Sequence, residues 1–353
     1  MILRIILYVC VILISYLGVE AFRRWSLRRN LYDVPNERSS HTAPTARGGG
    51  LIIVLICLSA YAGYTIFISG DFRWSYLLGA SLIALVSWLD DLYSISFVWR
   101  ILVHAAAAAI IILTLGYFQE IHAPFFHEIN FGINGAWPTF FWIVWLTNAY
   151  NFMDGIDGIA GIQAVCAGIG WLLIGELCGL PTIGFYGGII AFSSLGLTIQ
   201  NWQPAKIFMG DVGSAFLGYS FAALPLLAKT EIEGVRSEAL NPVIPLLPII
   251  AVLAVWLFVF DTIYTFLRRV FRGEKVWQAH RSHIYQKLVI GGFSHQTVAI
   301  IYGAISASNI LLLILWIKTG DLFGGVLIFW ICLQSFGLLL FYHLRNRRNS
   351  FNL

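Results

Sequence analysis

The sequence predicts an all-α polytopic membrane protein of about eleven transmembrane helices, with one site at its cytoplasmic face. Three observations predict it. Hydrophobic residues make up 59% of the 353 positions, charged residues only 11%, and mean hydropathy is +0.79. No soluble core of this size needs so much apolar surface. Apolar windows of about 20 residues, the length that crosses a bilayer, recur along the whole chain. The basic residues between those windows fall mostly on one side. Residues 1–353 therefore read as a single integral membrane domain, with main cytoplasmic loops over 22–49 and 268–295. The net charge of +4 says little by itself, and no nucleic-acid partner is expected.

Taken in order, the expected spans start near Ile2, Gly50, Tyr76, Ile101, Pro138, Ile159, Pro181, Val212, Val243, Thr297 and Phe323. The first has a thin basic region and no small-residue cleavage site, so it reads as a retained helix. Alternating the spans puts seventeen of the Lys and Arg residues on one side and five on the other. The richer side is cytoplasmic by the positive-inside rule, with the N-terminus outside and the C-terminus inside. The five cysteines (Cys10, Cys57, Cys166, Cys178 and Cys332) are scattered through or beside apolar runs. They read as small hydrophobes, with no metal site or disulfide framework.

The polar motifs then gather on the cytoplasmic side. Asp90-Asp91 ends the third span, where a helix C-terminus disfavours negative charge, so the pair needs a cation to offset it. Adjacent residues do not share a helix face, which lets the two acids do different work. Asn148, Asn151, Asp154 and Asp157 end the fifth span at three-residue spacing and share a face while the chain stays helical. So heavy a polar load at a membrane boundary marks a functional site. Gly210-Asp211-Val212-Gly213-Ser214 opens the eighth span with another acid. Arg47-Gly-Gly-Gly50 precedes a span, where backbone N–H groups can meet an anion.

His280-Arg281-Ser282-His283 lies in a basic loop, and an Arg fork suits phosphate oxygens. Arg268, Arg269 and Arg272 read as topological charges, and His104 as a packed interior histidine. The clustered aspartates are enough for Mg²⁺ bridging phosphates, which takes one or two protein carboxylates plus water. Zn²⁺ is not expected, for want of Cys spacing or an HExxH helix.

At these motifs the chain resembles the polyprenyl-phosphate N-acetylhexosamine-1-phosphate transferases, over about residues 1–340. The matching pieces are Asp90-Asp91, the run Asn148-Ala-Tyr-Asn-Phe-Met-Asp-Gly-Ile-Asp-Gly-Ile-Ala-Gly161, Phe208-Met-Gly-Asp-Val-Gly-Ser214 and His280-Arg-Ser-His283. The branch resembled starts bacterial O-antigen or related surface glycans. The resemblance implies transfer of a sugar phosphate from a UDP-N-acetylhexosamine (GlcNAc, FucNAc or QuiNAc) to undecaprenyl phosphate, with release of UMP. It implies a multi-pass protein of the bacterial inner membrane that contacts membrane lipids; the oligomeric state, a homodimer included, is left open by the sequence.

By the same resemblance, Asn151 and Asp211 hold Mg²⁺, for which Mn²⁺ can substitute. Asp90, Asp91, Asp154 and Asp157 are the catalytic acids, the first two beside the lipid phosphate and the last two lining the nucleotide-sugar pocket. Asn148, Arg47, Arg100, His280, Arg281 and His283 are the substrate-binding residues. Relatives of the peptidoglycan type carry a histidine-rich triplet where this chain has His-Arg-Ser-His, which argues against a MurNAc-pentapeptide donor. That donor, or a membrane carrier of another class, is the alternative. Direct attack by the lipid phosphate needs no strong general base, because its second pKa of about 6 leaves it largely ionised. The competing route makes an aspartate the nucleophile.

Overall fold

The computed structural model describes residues 2–29, 31–33, 44–123, 128–235, 243–275 and 280–350. Arg38 and His41 of the first cytoplasmic loop, and His127 and Arg236, lie outside the described residues. The architecture is all-helical. The first four helices are α1 (Ile2–Arg28), α2 (Gly50–Tyr64), α3 (Trp74–Tyr93) and α4 (Phe97–Leu115). Next come α5 (Ala136–Met153), α6 (Ile159–Cys178), α7 (Pro181–Asn201) and α8 (Asp211–Val235). The chain closes with α9 (Leu247–Ala254), α10 (Trp256–Phe271), α11 (Ile284–Ile290), α12 (His295–Thr319) and α13 (Asp321–Ser350). Two antiparallel ribbons complete it, β1 (Tyr32–Asp33) with β2 (Thr45–Ala46) and β3 (Glu120–Ile121) with β4 (Ile129–Asn130).

Among the described residues, nine helices are long and apolar enough to cross a membrane. A tenth span is made if α9 and α10, bent by 73° at Val255, count together from Val243 to Phe271. Nine or ten of the expected eleven spans thus stand by length and composition. The helix that falls short is α5, whose 18 residues include Trp137, Pro138, Trp142, Trp145, Asn148 and Asn151. It nevertheless runs from beside Phe118, whose N–H donates to Thr139 Oγ1, down to the acid-rich turn at Asp154. The helix ends also differ from the expected loops. Arg23, Arg24 and Arg28 sit on the last turns of α1, and Arg268 and Arg269 on the last turn of α10.

Burial sorts the helices into an inner and an outer set. The central window of α8 is 94% buried and that of α7 78%, against 17% for α1 and 28% for α4. The inner helices α6 and α7 meet through Gly168, Gly175, Gly184 and Gly187. Small residues of this kind let membrane helices approach closely where no hydrophobic force drives them together. The outer helices turn Ile, Leu and Phe side chains outward, as lipid-facing surfaces do.

The two ends of the bundle are distinct. Arg4 at the start of α1 pairs with Glu176 near the end of α6, and His122 donates its N–H to Pro245 O at the same end. At the other end, Tyr342 of α13 meets Arg268, and His295 at the start of α12 meets Asp157. The first described turn and the last thus lie at opposite ends. At the second end a short ladder stitches distant loops together. Ala46 bridges Ile207, Phe208 N–H donates to Ala46 O at 2.8 Å, and Gly49 N–H to Phe208 O at 3.0 Å. That pairing carries Arg47 alongside the segment that leads into α8.

Candidate active site

The acids at the end of α3 divide the work between them. Asp91 turns its carboxylate, 3% exposed, to the N-terminus of α8. It accepts the N–H groups of Asp211 and Val212, each at 3.0 Å. Those are unpaired donors at the positive end of a helix dipole, so the charge is well placed there. Gly210 permits it: its φ is +78°, and a Cβ would lie 2.7 Å from Asp91 Oδ2. Asp90 instead faces Arg100.

Asp211 joins the two acids through guanidinium groups. Arg47 Nη2 reaches Asp211 Oδ1 at 2.5 Å while its Nε reaches Asp91 Oδ1 at 2.8 Å. Arg100 Nη1 holds Asp211 Oδ2 at 2.9 Å and also contacts Asp90. Three carboxylates thus face two guanidiniums, leaving one negative charge unmatched. The Arg47 guanidinium is partly buried, which works against its charge. Asp211 and Asp91 outweigh that and raise it above the ordinary arginine value.

The cation that the α3 acids required is therefore supplied by arginine and a helix N-terminus. Among the described residues no three His, Cys, Asp or Glu side chains are arranged to hold a metal. The donor set still suits Mg²⁺, because Asp211 meets the Asn151 side chain and sits against Asp90. Hard oxygen donors of that kind, with one or two carboxylates, are what Mg²⁺ takes when phosphate and water complete its shell.

The four-residue polar series does not share one face. Helix α5 stops at Met153, and Asp154 leaves it with φ −84° and ψ 52°. Asn148 lies one turn inside the bundle, where its Nδ2 donates to Val144 O at 2.7 Å. Asn151 reaches Asp211. Asp154 stays beside the cluster, where desolvation and the nearby Asp211 push its carboxyl well above the usual range, with Arg47 opposing. Asp157 goes elsewhere. Its buried carboxylate accepts Ala205 N–H at 3.1 Å and lies 3.4 Å from His295 Nδ1. It fastens the segment before α8 to the start of α12, and its charge still acts on Asp154.

The His-Arg-Ser-His loop is held by a residue that belongs to none of the sequence motifs. Asp261 of α10, 1% exposed, accepts the N–H groups of Ile284 at 2.9 Å and Tyr285 at 3.1 Å, and pairs with His283 Nδ1 at 3.0 Å. An acid inside the apolar run Phe258–Ile263 was the available signal. His280 stacks on His283, with ring centroids 4.9 Å apart, and its Nδ1 meets Ser282 Oγ at 2.8 Å. Burial, with His283, Arg269 and Arg268 nearby, pushes His280 down to about 4. Arg281 is half-buried between them.

Tyr285 then docks the loop on the acid turn. Its hydroxyl donates to Phe152 O at 2.9 Å, and a Cβ on Gly155 would lie 2.1 Å from that oxygen. Two arginines read as topological have local work. Arg269 is buried and bonds Glu274 at 2.9 Å and Lys275 O at 2.7 Å. Arg268 donates to Ser282 O at 2.6 Å and lies over the Tyr264 and Tyr342 rings. His104 is buried, as expected, one turn beyond Arg100.

The sequence model described as "Glycosyl transferase family 4" matches residues 73–229, which contain every acid of the cluster and Arg100. Similarity to individual proteins runs further. Over 316 residues, 85% of this chain, it is 29% identical to the probable undecaprenyl-phosphate N-acetylglucosaminyl 1-phosphate transferase of Bacillus subtilis, covering 82% of that protein. It is 26% identical over 316 residues to the decaprenyl-phosphate N-acetylglucosaminephosphotransferase of Mycobacterium tuberculosis, covering 82% of this chain and 76% of that one. A phospho-N-acetylmuramoyl-pentapeptide-transferase of Staphylococcus saprophyticus is 32% identical, but over only 32% of this chain and 36% of its own. With the motifs, the cluster and these matches in agreement, the chain belongs to glycosyl transferase family 4, the polyprenyl-phosphate N-acetylhexosamine-1-phosphate transferases.

Proposed function

We propose that this membrane enzyme moves N-acetylhexosamine 1-phosphate from a UDP-sugar to undecaprenyl phosphate, releasing UMP. The sugar-1-phosphate transfer to a polyprenyl phosphate is the reaction of its family. The donor is UDP-GlcNAc or its 6-deoxy relatives UDP-FucNAc or UDP-QuiNAc, and the product starts an O-antigen or related surface polysaccharide. The longer matches, to N-acetylglucosaminyl transferases, favour this donor class over a MurNAc-pentapeptide. The protein works in the bacterial inner membrane with its N-terminus outside and its C-terminus and site inside. The opposite placement of its first and last described turns agrees with that orientation.

The observation that carries the reading is the cluster of Asp90, Asp91 and Asp211 with Arg47 and Arg100. Phosphoryl transfer needs positioning and charge neutralisation more than covalent help. Mg²⁺, held by Asp211 and Asn151, would neutralise the diphosphate oxygens when bound. Arg47, Arg100, His280, Arg281 and His283 bind phosphate oxygens, and Asp90 accepts the proton of any residual lipid-phosphate monoanion.

Asp91 has both oxygens engaged by two N–H groups and Arg47, so it is poorly suited to attack phosphorus. This favours direct displacement by the lipid phosphate. The deciding assay is UMP release from a panel of UDP-sugars by purified protein, with undecaprenyl phosphate, with and without Mg²⁺. Mg²⁺-dependent release with one or more of the three donors is expected. Folded protein that releases no UMP from any donor would end the proposal, and a phosphorylated aspartate trapped on Asp90 or Asp91 would end its direct route.

A further inference from the structure

Asp261 has more donors than a loop anchor requires. Besides Ile284 N–H, Tyr285 N–H and His283 Nδ1, it accepts Thr265 Oγ1 at 3.1 Å and Tyr302 Oη at 3.2 Å. Helices α10, α11 and α12 and the loop thus converge on one carboxylate. An ionised carboxylate only accepts, so the imidazole nitrogen facing it carries a proton. The other ring nitrogen, Nε2, is then the one left to bond a ligand. The ring cannot turn to exchange the two, because it is 95% buried and stacks between His280 at 4.9 Å and Tyr285 at 5.8 Å. Tyr285 in turn ties this stack to Phe152 O, one residue before the end of α5 and two before Asp154.

We propose that Asp261 is a positioning residue for the transferase reaction, acting through His283. It holds the ring as the Nδ1–H tautomer and presents Nε2 to an oxygen of the bound diphosphate. Protonated His283 donates to that oxygen through Nε2–H while Nδ1–H stays on Asp261, and Asp261 itself touches no substrate. The inference rests on the transferase reading. It goes beyond that reading by assigning a role to a residue outside the acid cluster and outside the His-Arg-Ser-His motif.

The test uses the full chain in lipid nanodiscs, labelled with ¹⁵N-histidine, with the His283 signals identified by their loss in His283→Asn. Neutral wild-type His283 should show a protonated Nδ1 and a bare Nε2. In Asp261→Asn, whose amide can donate, the proton should move to Nε2. With UDP-GlcNAc and undecaprenyl phosphate, Asp261→Asn should lower kcat about 10- to 100-fold while KM changes less than about threefold. The double variant with His283→Asn should be no slower than His283→Asn alone.

A wild-type Nε2–H tautomer would overturn the proposal, and so would losses that multiply in the double variant. If Asp261→Asn fails to fold, the wild-type spectrum still decides. If the wild-type chain turns over no UDP-sugar, the transferase reading fails instead, and the tautomer still decides whether Asp261 orients His283.

Discussion

At the acid end of the site, three carboxylates and two guanidiniums offset one another between the ends of α3, α4 and α8. At the basic end, the His280–His283 loop hangs from one buried carboxylate on α10. The acid end is positioned by long helices and by the ladder that pairs Ala46 with Ile207, so its geometry outlasts the loss of a single charge. The basic end takes its shape from side-chain bonds, so the loss of one anchor moves several groups together. Substitutions in the first should therefore act on chemistry, and substitutions in the second on geometry.

The largest effect is expected at Asp211, the only carboxylate among the described residues that both arginines share. Asp211→Asn removes the charge that balances Arg47 and Arg100 and weakens the oxygen donor set facing Asn151. Turnover with undecaprenyl phosphate and the best UDP-sugar should fall on the order of 10³-fold, the scale of a lost transition-state charge contact. Circular dichroism should show an unchanged helix content. A collapse of the fold would mean that the acid end, too, is held by its charges.

Asp90 and Asp91 sharpen the contrast within that end. Asp91→Asn leaves the α8 N–H groups a neutral acceptor and strips Arg47 of a buried partner. It should lower stability by about 1–3 kcal/mol, seen as a lower denaturation midpoint. Asp90→Asn, which faces Arg100 and takes no α8 N–H group, should lower stability by less than about 1 kcal/mol. Both should keep measurable turnover, reduced about 10²-fold. Equal destabilisation by the two would contradict the division of labour drawn from Asp91's bonds to Asp211 and Val212.

The sequence was most informative where a physical demand is local. Apolar runs marked the spans, and polar residues at span ends marked the acid side, because a membrane penalises both exceptions strongly. It was least informative about what balances what. A helix C-terminus carrying two acids demanded positive charge, but only the fold brings Arg47, 44 positions from Asp91, to that place. Three-residue spacing put Asp157 beside Asp154. The helix, however, ends at Met153, and the turn sends Asp157 to Ala205 and His295. Asp261 was hidden for the opposite reason: a single acid in an apolar run carries no motif, and the loop it holds lies more than twenty residues away.

A smaller effect tests the join between the two ends. Gly155→Ala puts a methyl group 2.1 Å from Tyr285 Oη and 3.1 Å from its Cζ, where Tyr285 is packed and bonded to Phe152 O. Either the ring retreats and loses that bond or the acid turn shifts. Overpacking of this kind costs about 1–3 kcal/mol. The expected sign of a geometric fault is a KM for the UDP-sugar raised severalfold, with kcat lowered about tenfold or less. Combining it with Tyr285→Phe, which lacks the hydroxyl, should recover part of the loss. No recovery would mean that the docking of Tyr285 does not register the two ends.

The smallest effect is a pH dependence confined to the basic end. His280 is held down at about 4 by burial and by the charges of His283, Arg269 and Arg268, against about 6.5 in an unfolded chain. Between those values the unfolded chain binds a proton that the folded chain refuses, so stability falls as pH drops from about 6.5 towards 4. Above about 6.5 both states are neutral and the contribution is flat. The ring keeps some access to solvent, so the loss across the window should be about 1–2 kcal/mol rather than the full value of the shift. Chemical denaturation at pH 7 and pH 5 should show it in the wild type and a smaller drop in His280→Asn. The acid end cannot mimic the difference, because both proteins carry the same aspartates. An equal drop in the two would assign the acid sensitivity to groups other than His280, and would leave the loop's shape to Asp261 alone.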